Sequence, residues 1–176
     1  MNAVEIEAAI SDLAMEPFNP SEFPYAFLAA FGNKETALKR LRTGNNNASD
    51  FPSGVLLRNN IHIAVCDEGS VSETLTALLA SPSTNKAKAK FVLATDGRTL
   101  EAKDLVSDEF VACEYEDFPN HFGLFLPLAG ISTAREIKDN PIDVRATGRL
   151  NKLYVELLRE NPDWARADRR ADMNHF

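Results

Sequence analysis

What this sequence has little of restricts it more than what it has in plenty. Its eight glycines, at positions 32, 44, 54, 69, 97, 123, 130 and 148, never stand closer than seven residues apart. A loop that cradles phosphate or an adenosyl group needs clustered glycines, because only backbone without Cβ brings its amides close enough. The chain therefore carries no P-loop and no dinucleotide or S-adenosylmethionine fingerprint. There are only two cysteines, Cys66 and Cys113, each inside an apolar stretch. Buried free thiols are expected there, and two cysteines without a nearby histidine pair make no zinc site. The longest apolar runs, 27–31 and 122–126, fall far short of the ~20 residues of a membrane span. The start, Met-Asn-Ala-Val-Glu-Ile-Glu, is acidic where a secretory signal is basic and then apolar, so a cytoplasmic protein is expected. Positive charge is scarce too: 19 Lys and Arg against 26 Asp and Glu leave a net charge of −7. Non-specific nucleic-acid affinity needs a concentrated basic surface, so this chain is not expected to grip nucleic acid alone. Local basic clusters exist at Lys39, Arg40 and Arg42, at Lys86, Lys88 and Lys90, and at Arg166, Arg169 and Arg170; each reads first as a solvated face.

Enough is present for one packed domain: 176 residues, 44% of them hydrophobic. Ile6, Ala9, Ile10 and Leu13 recur at helical spacing and predict a helix over 2–15. After the break at Pro17 to Pro20, Ser21 is expected to cap a second helix, with Pro24 in its first turn and Gly32 as its stop. A third runs from about Lys34 to Arg42, and the polar stretch Thr43 to Ser53 predicts an exposed loop. Val55 to Leu57 and Ile61 to Cys66 flank Asn59-Asn60, which predicts a hairpin or a bulged strand. Val71 to Ala80 reads as a helix, Phe91 to Ala94 as a buried strand turned by Asp96-Gly97 into Thr99 to Leu105, and Phe110 to Tyr115 as a strand. Further helices are expected over His121 to Leu128, from Ile142 to just before Pro162, and from Asp163 onward. The sum is an α/β (α+β) fold, a small mixed β-sheet flanked by helices. It divides into a domain over 1–140 and a helical extension over 141–176. Natural termini fray into polar residues, whereas this chain stops on Phe176 in helical character. The expectation is a piece of a longer protein without a complete active site of its own.

Three arrangements invite a chemical reading. Asp139-Asn140-Pro141-Ile142 glances toward the Asn/Asp-Pro-Pro-aromatic loop with which amino-methyltransferases hold a flipped base, but the second proline and the stacking aromatic are missing. Asp96 followed by Glu101-Ala102-Lys103 imitates the Asp…Glu-x-Lys set of metal-dependent nucleases, which gather two carboxylates around a divalent cation with a lysine near the attacking water. Glu101 and Lys103 share a strand face, while Asp96 sits at the hairpin tip; solvent-facing alternation is the simpler expectation. His62 and His121 have no serine or cysteine nucleophile pattern beside them and read as structural histidines.

Three phrases carry a family likeness: Asn59-Asn60-Ile61-His62-Ile63-Ala64-Val65-Cys66, Ala89-Lys90-Phe91-Val92-Leu93-Ala94-Thr95-Asp96-Gly97, and Phe125-Leu126-Pro127-Leu128-Ala129-Gly130. Together they resemble the amino-terminal region of the long, single-chain MmeI-like DNA methyltransferases, class I S-adenosylmethionine-dependent enzymes related to type II restriction-modification systems. Arg169-Arg170-Ala171-Asp172-Met173-Asn174-His175-Phe176 resembles the start of the helical segment before their methyltransferase domain. The resemblance implies a parent protein that methylates adenine N6 in double-stranded DNA, with S-adenosylmethionine bound outside this chain. It also implies downstream helical and methyltransferase domains as partners, and no cofactor or metal here. In relatives that cut DNA this region resembles a PD-(D/E)xK nuclease. That register puts the aspartate at Asp50 and the Glu and Lys positions near Ala64 and Cys66, so the resemblance implies a degenerate nuclease with no catalytic residue. Lys86, Lys88 and Lys90 are then candidates for DNA-backbone contact. Two alternatives stay open: a protein–protein interaction domain with no DNA role, and an active Mg-dependent endonuclease using Asp96, Glu101 and Lys103.

Overall fold

The computed structural model describes residues 2–131, together with 152, 153, 155–157 and 159, which are helical. Helix α1 spans Ala3–Met15 and opens on a capping box: Asn2 Oδ1 accepts from Glu5 N at 2.9 Å while Glu5 Oε2 accepts from Asn2 N at 2.8 Å. That reciprocal pair satisfies two amides that have no intrahelical partner. Helix α2 spans Phe23–Ala30, one residue later than a cap at Ser21 requires. The Ser21 hydroxyl turns back to Asn19 Oδ1 at 2.8 Å, so it closes a turn before the helix and leaves Glu22 as N-cap. Gly32 ends α2 as expected, with φ of 89°, a left-handed conformation in which a Cβ is strained. Helix α3 follows over Glu35–Arg42.

Five strands form one sheet in the order β1 (Gly54–Leu56), β2 (Ile61–Val65), β3 (Phe91–Thr95), β4 (Thr99–Asp104) and β5 (Phe110–Glu114). β1 and β2 make the expected antiparallel hairpin, with Ala64 opposite Gly54. β2 and β3 are parallel, joined by α4 (Val71–Ala80) and the short α5 (Pro82–Lys86). The remaining pairs are antiparallel. The sheet is thus mixed and flanked by helices, an α+β architecture. The outer edge of β1 is met by a side chain: Asn47 Nδ2 donates to Gly54 O at 2.9 Å and Asn47 Oδ1 accepts from Leu56 N at 2.9 Å.

Side chains alternate across the strands. Ile61, Ile63, Phe91, Leu93, Leu100 and Ala102 face α1, α2 and a ring cluster of Phe23, Phe27, Phe31, Phe118 and Phe125. Ala64, Val92 and Ala94 face Val71, Leu75 and Leu78 of α4. The segment expected as a helix over His121 to Leu128 is a longer 3₁₀ stretch, Tyr115–Ala129. Pro119 and Pro127 lie inside it, and each lacks the amide that an α-helical hydrogen bond needs. The expected helix from Ile142 falls inside the described residues only in part, and the one from Asp163 lies outside them.

Candidate functional site

The register implied by the family likeness can be followed residue by residue. Asp50 precedes β1, and both its oxygens accept from the Ser81 hydroxyl, at 2.9 and 2.8 Å. That hydrogen bond holds the Asp50 carboxyl below its ordinary pKa. Ser81 in turn caps α5 through the amides of Ser83 and Thr84. Ala64 is buried under α4. Cys66 is half-buried, its Sγ reaches Thr95 O at 3.5 Å, and burial pushes its thiol pKa up. Ala64 and Cys66 line an open cleft of about 980 Å³ with Gly54, Phe51, Asp67 and Glu73. Asp50 is not among the lining residues, because Ser81 draws it to α5.

The second constellation is brought together in part. Asp96 caps the β3–β4 turn, its Oδ1 accepting from Arg98 N at 2.9 Å and Thr99 N at 2.8 Å. Its Oδ2 accepts from Gly69 N at 2.9 Å, tying that turn to the loop before α4. Gly97 sits in the same turn with φ of 84°, and a Cβ there would stand 2.3 Å from Phe18 Cδ1. Glu101 contradicts the expected solvent-facing alternation: it is 4% exposed. Its Oε1 accepts from the Ser72 hydroxyl at 2.6 Å, and its Oε2 lies 3.9 Å from Lys152 Nζ. The cover comes from α4 and from the helical residues 152, 153, 155–157 and 159, of which Val155 is buried and Arg159 donates to Gly69 O at 3.0 Å. Asp96 and Glu101 line one cavity of about 440 Å³ with Glu114, Glu116, Glu156 and Arg159. Lys103 shares the face of Glu101 but pairs with Asp108 at 2.7 Å and does not line that cavity. Among the described residues, no group of three or more His, Cys, Asp or Glu side chains is placed to hold a metal ion.

His62 is fully buried between Ser49 and Thr84, with 2.8 Å from Nε2 to Ser49 Oγ and from Nδ1 to Thr84 Oγ1. Desolvation lowers its pKa to about 4, against a smaller opposing pull from Asp50. It is neutral at physiological pH. His121 stands 3.5 Å from Asp117 Oδ2, one helical turn away. Both thiols are free, and burial raises that of Cys113 to about 12. Of the basic clusters, Arg42 pairs with Glu22 at 2.7 Å and Glu35 at 3.3 Å. Lys86, Lys88 and Lys90 are exposed and, among the described residues, make no ion pair. Sequence reasoning overlooked Arg58, equally exposed on the β1–β2 turn beside them. The signal was the lack of any Asp or Glu over 51–66 and 74–95. Arg166, Arg169, Arg170 and the 139–142 motif lie outside the described residues.

The fold and these sites define a class: a helix-flanked, mixed five-stranded domain whose interior polar groups mostly hold turns and helix ends. No helix among the described residues is long and apolar enough to cross a membrane. The chain belongs to the MmeI N-terminal domain family, whose model matches residues 1–160. DNA methyltransferase A of Bacillus subtilis (strain 168) is 27% identical to it over 161 residues, 92% of this chain. Those residues are only 18% of that relative's length. No solved structure matches the chain. The family expected from the three sequence phrases is therefore borne out.

Proposed function

We propose that this chain is the N-terminal accessory domain of a site-specific DNA (adenine-N6) methyltransferase of the restriction-modification type, and that it has no nuclease activity of its own. The parent binds double-stranded DNA and S-adenosylmethionine in domains outside 1–176, in the cytoplasm, while 1–140 braces them and 141–176 serves as the helical connection. The observation that carries the reading is the chemistry at Ala64 and Cys66. In the implied PD-(D/E)xK register these positions need a carboxylate to hold a divalent cation and an ammonium group near the attacking water. A methyl group and a neutral thiol supply neither. Lys86, Lys88 and Lys90 are the side chains offered to the DNA backbone.

A second reading, an active Mg-dependent endonuclease, draws on the cavity shared by Asp96 and Glu101. A cleavage assay with Mg²⁺ on the full-length protein separates the two. The accessory reading expects intact DNA. Cutting that Asp96→Ala or Glu101→Ala abolishes would overturn it. Transfer of a methyl group from S-adenosylmethionine to adenine N6 by the same preparation tests the parent activity. Its failure, with a reading frame that stops after Phe176, leaves a protein–protein interaction domain instead.

A further inference from the structure

The parallel pair β2–β3 has two chemically different ends. The strands run in register from Ile61 beside Phe91 to Val65 beside Thr95, about 13 Å at ~3.3 Å per residue. Where they finish, the chain places Asp67, Asp96 and Glu68, the last paired with Arg98 at 2.7 Å, and Asp67 and Glu73 line, with Arg42, the cleft that holds Ala64 and Cys66. Where they start, two turns are laced together by backbone hydrogen bonds. Asn59 N donates to Ala87 O at 2.9 Å, and Lys90 N donates to Asn60 O at 2.7 Å. Those bonds bring Arg58, on the first turn, beside Lys86 at the end of α5 and Lys88 and Lys90 in the turn that follows it.

The ridge is held from below. Thr84 of α5 is fastened to His62 and to Leu78 O, so the element that ends at Lys86 is fixed to the sheet. Asn59 and Lys88 adopt left-handed backbone, with φ of 56° and 54°. The adjoining β4–β5 turn does contain carboxylates, but Asp104 is 7% exposed and accepts from the amides of Val106 and Ser107. Asp108 is paired with Lys103, and Glu109, half-buried, is the remaining carboxylate of that turn. Four exposed cations therefore share one end of a chain whose net charge is −7.

We propose that Arg58, Lys86, Lys88 and Lys90 form a phosphate-contacting ridge that seats the domain on duplex DNA by the N-terminal ends of β2 and β3. The cleft at the far end, where the nuclease register falls, points away from the duplex. The inference deepens the proposed function and rests on its reading that the parent protein works on DNA. Long, solvated cations on turns neutralise phosphates without reading bases, so the contact is sequence-independent and salt-sensitive. Asp67 and Glu73 outnumber Arg42 in the lining of the far cleft, so the charge layout favours the ridge end for a polyanion.

The test is DNA binding by the full-length protein, measured by fluorescence anisotropy on a duplex that lacks the methylation site, from ~50 to ~200 mM salt. The variant R58Q/K86Q/K88Q/K90Q is compared with wild type and with K34Q/K39Q/R40Q, which neutralises three exposed cations on α3 and its N-cap. The expected result is a log K against log salt slope shallower by up to about 3.6, at ~0.9 per phosphate contact, with affinity at ~100 mM salt down tenfold or more. The α3 variant keeps the wild-type slope. A triple variant, R58Q/K86Q/K90Q, keeps the test readable should glutamine not fit the left-handed position 88. An unchanged slope in both ridge variants, or an equal loss in the α3 variant, overturns the proposal. Methylation of a site-bearing duplex is read separately. Its absence in wild type sinks the methyltransferase reading, while the slopes still decide whether the ridge meets DNA.

Discussion

The Thr84 hydroxyl fixes the tautomer of His62. Thr84 gives its one proton to Leu78 O at 2.7 Å, so at 2.8 Å from His62 Nδ1 it must accept. Nδ1 therefore carries the ring proton, and Nε2 accepts from the Ser49 hydroxyl at 2.8 Å. The neutral ring has both nitrogens satisfied, and Phe51 meets it edge-on at 5.5 Å.

Protonation breaks this arrangement, because Nε2–H would compete with the Ser49 proton inside the core. The folded-state pKa lies near 4 against an unfolded value of 6.5. Above pH 6.5 the ring is neutral in both states and its full contribution stands. As pH falls from 6.5 toward 4, the unfolded chain takes up a proton that the folded chain refuses, and stability is lost. The loss, on the order of 3 kcal/mol, levels off below pH 4. Urea midpoints at pH 7.5, 5.5 and 4.5 should show it, and the His62→Gln variant should lack that part of the slope.

Thr84→Val removes the acceptor for His62 Nδ1–H and the donor to Leu78 O while keeping the side-chain shape. Leaving a buried donor without a partner costs about 1–3 kcal/mol. Thermal unfolding should show the loss, and a cavity effect is excluded by the near-equal volume.

Gly97→Ala should be among the most damaging single changes in the sheet. The left-handed backbone at φ 84° strains any Cβ, and Phe18 Cδ1 lies only 2.3 Å from where it would go. The Phe18 ring cannot simply swing aside, since it packs on Tyr115 at 5.0 Å and Phe23 at 5.6 Å. Strain and overpacking together are worth about 2–4 kcal/mol, which calorimetry resolves as a melting shift of many degrees.

Glu101 and Lys152 couple weakly. At 3.9 Å, with Lys152 about one-third exposed at 38%, the pair is screened on one side. A double-mutant cycle with Glu101→Gln and Lys152→Met should return a coupling of about 0.2–1 kcal/mol. Glutamine keeps an acceptor for the Ser72 hydroxyl, so the single change Glu101→Gln leaves the fold intact.

Much of the fold was legible because local chemistry decides it. Leu75 and Leu78 sit at helical spacing and mark α4; Asp96-Gly97 marks the β3–β4 turn; the apolar runs around Asn59-Asn60 mark the β1–β2 hairpin. The parallel pairing of β2 with β3 was not, since it depends on α4 and α5 carrying the chain back across the sheet. The 3₁₀ stretch was read as a helix because Phe122, Phe125 and Leu126 have the same spacing in both, and the prolines at 119 and 127 decide between them. Glu101 looked solvent-facing because its cover includes Lys152, far along the chain. Arg58 went unnoticed as a lone cation between an apolar run and Asn59-Asn60. It gains companions only when Asn60 is laid beside Lys90.

The amide of Asn47 has a consequence for how copies of this molecule meet one another. A bare sheet edge is a template on which another chain can add a strand, the route to runaway edge-to-edge assembly. Here the Gly54 carbonyl and the Leu56 amide are already held by one side chain, and Leu56 O accepts from Ala48 N at 3.2 Å. An incoming strand would have to displace three formed hydrogen bonds before making its own. Asn47 and the Ala48 amide thus stand in the place of a sixth strand and blunt the β1 edge as a template for strand addition.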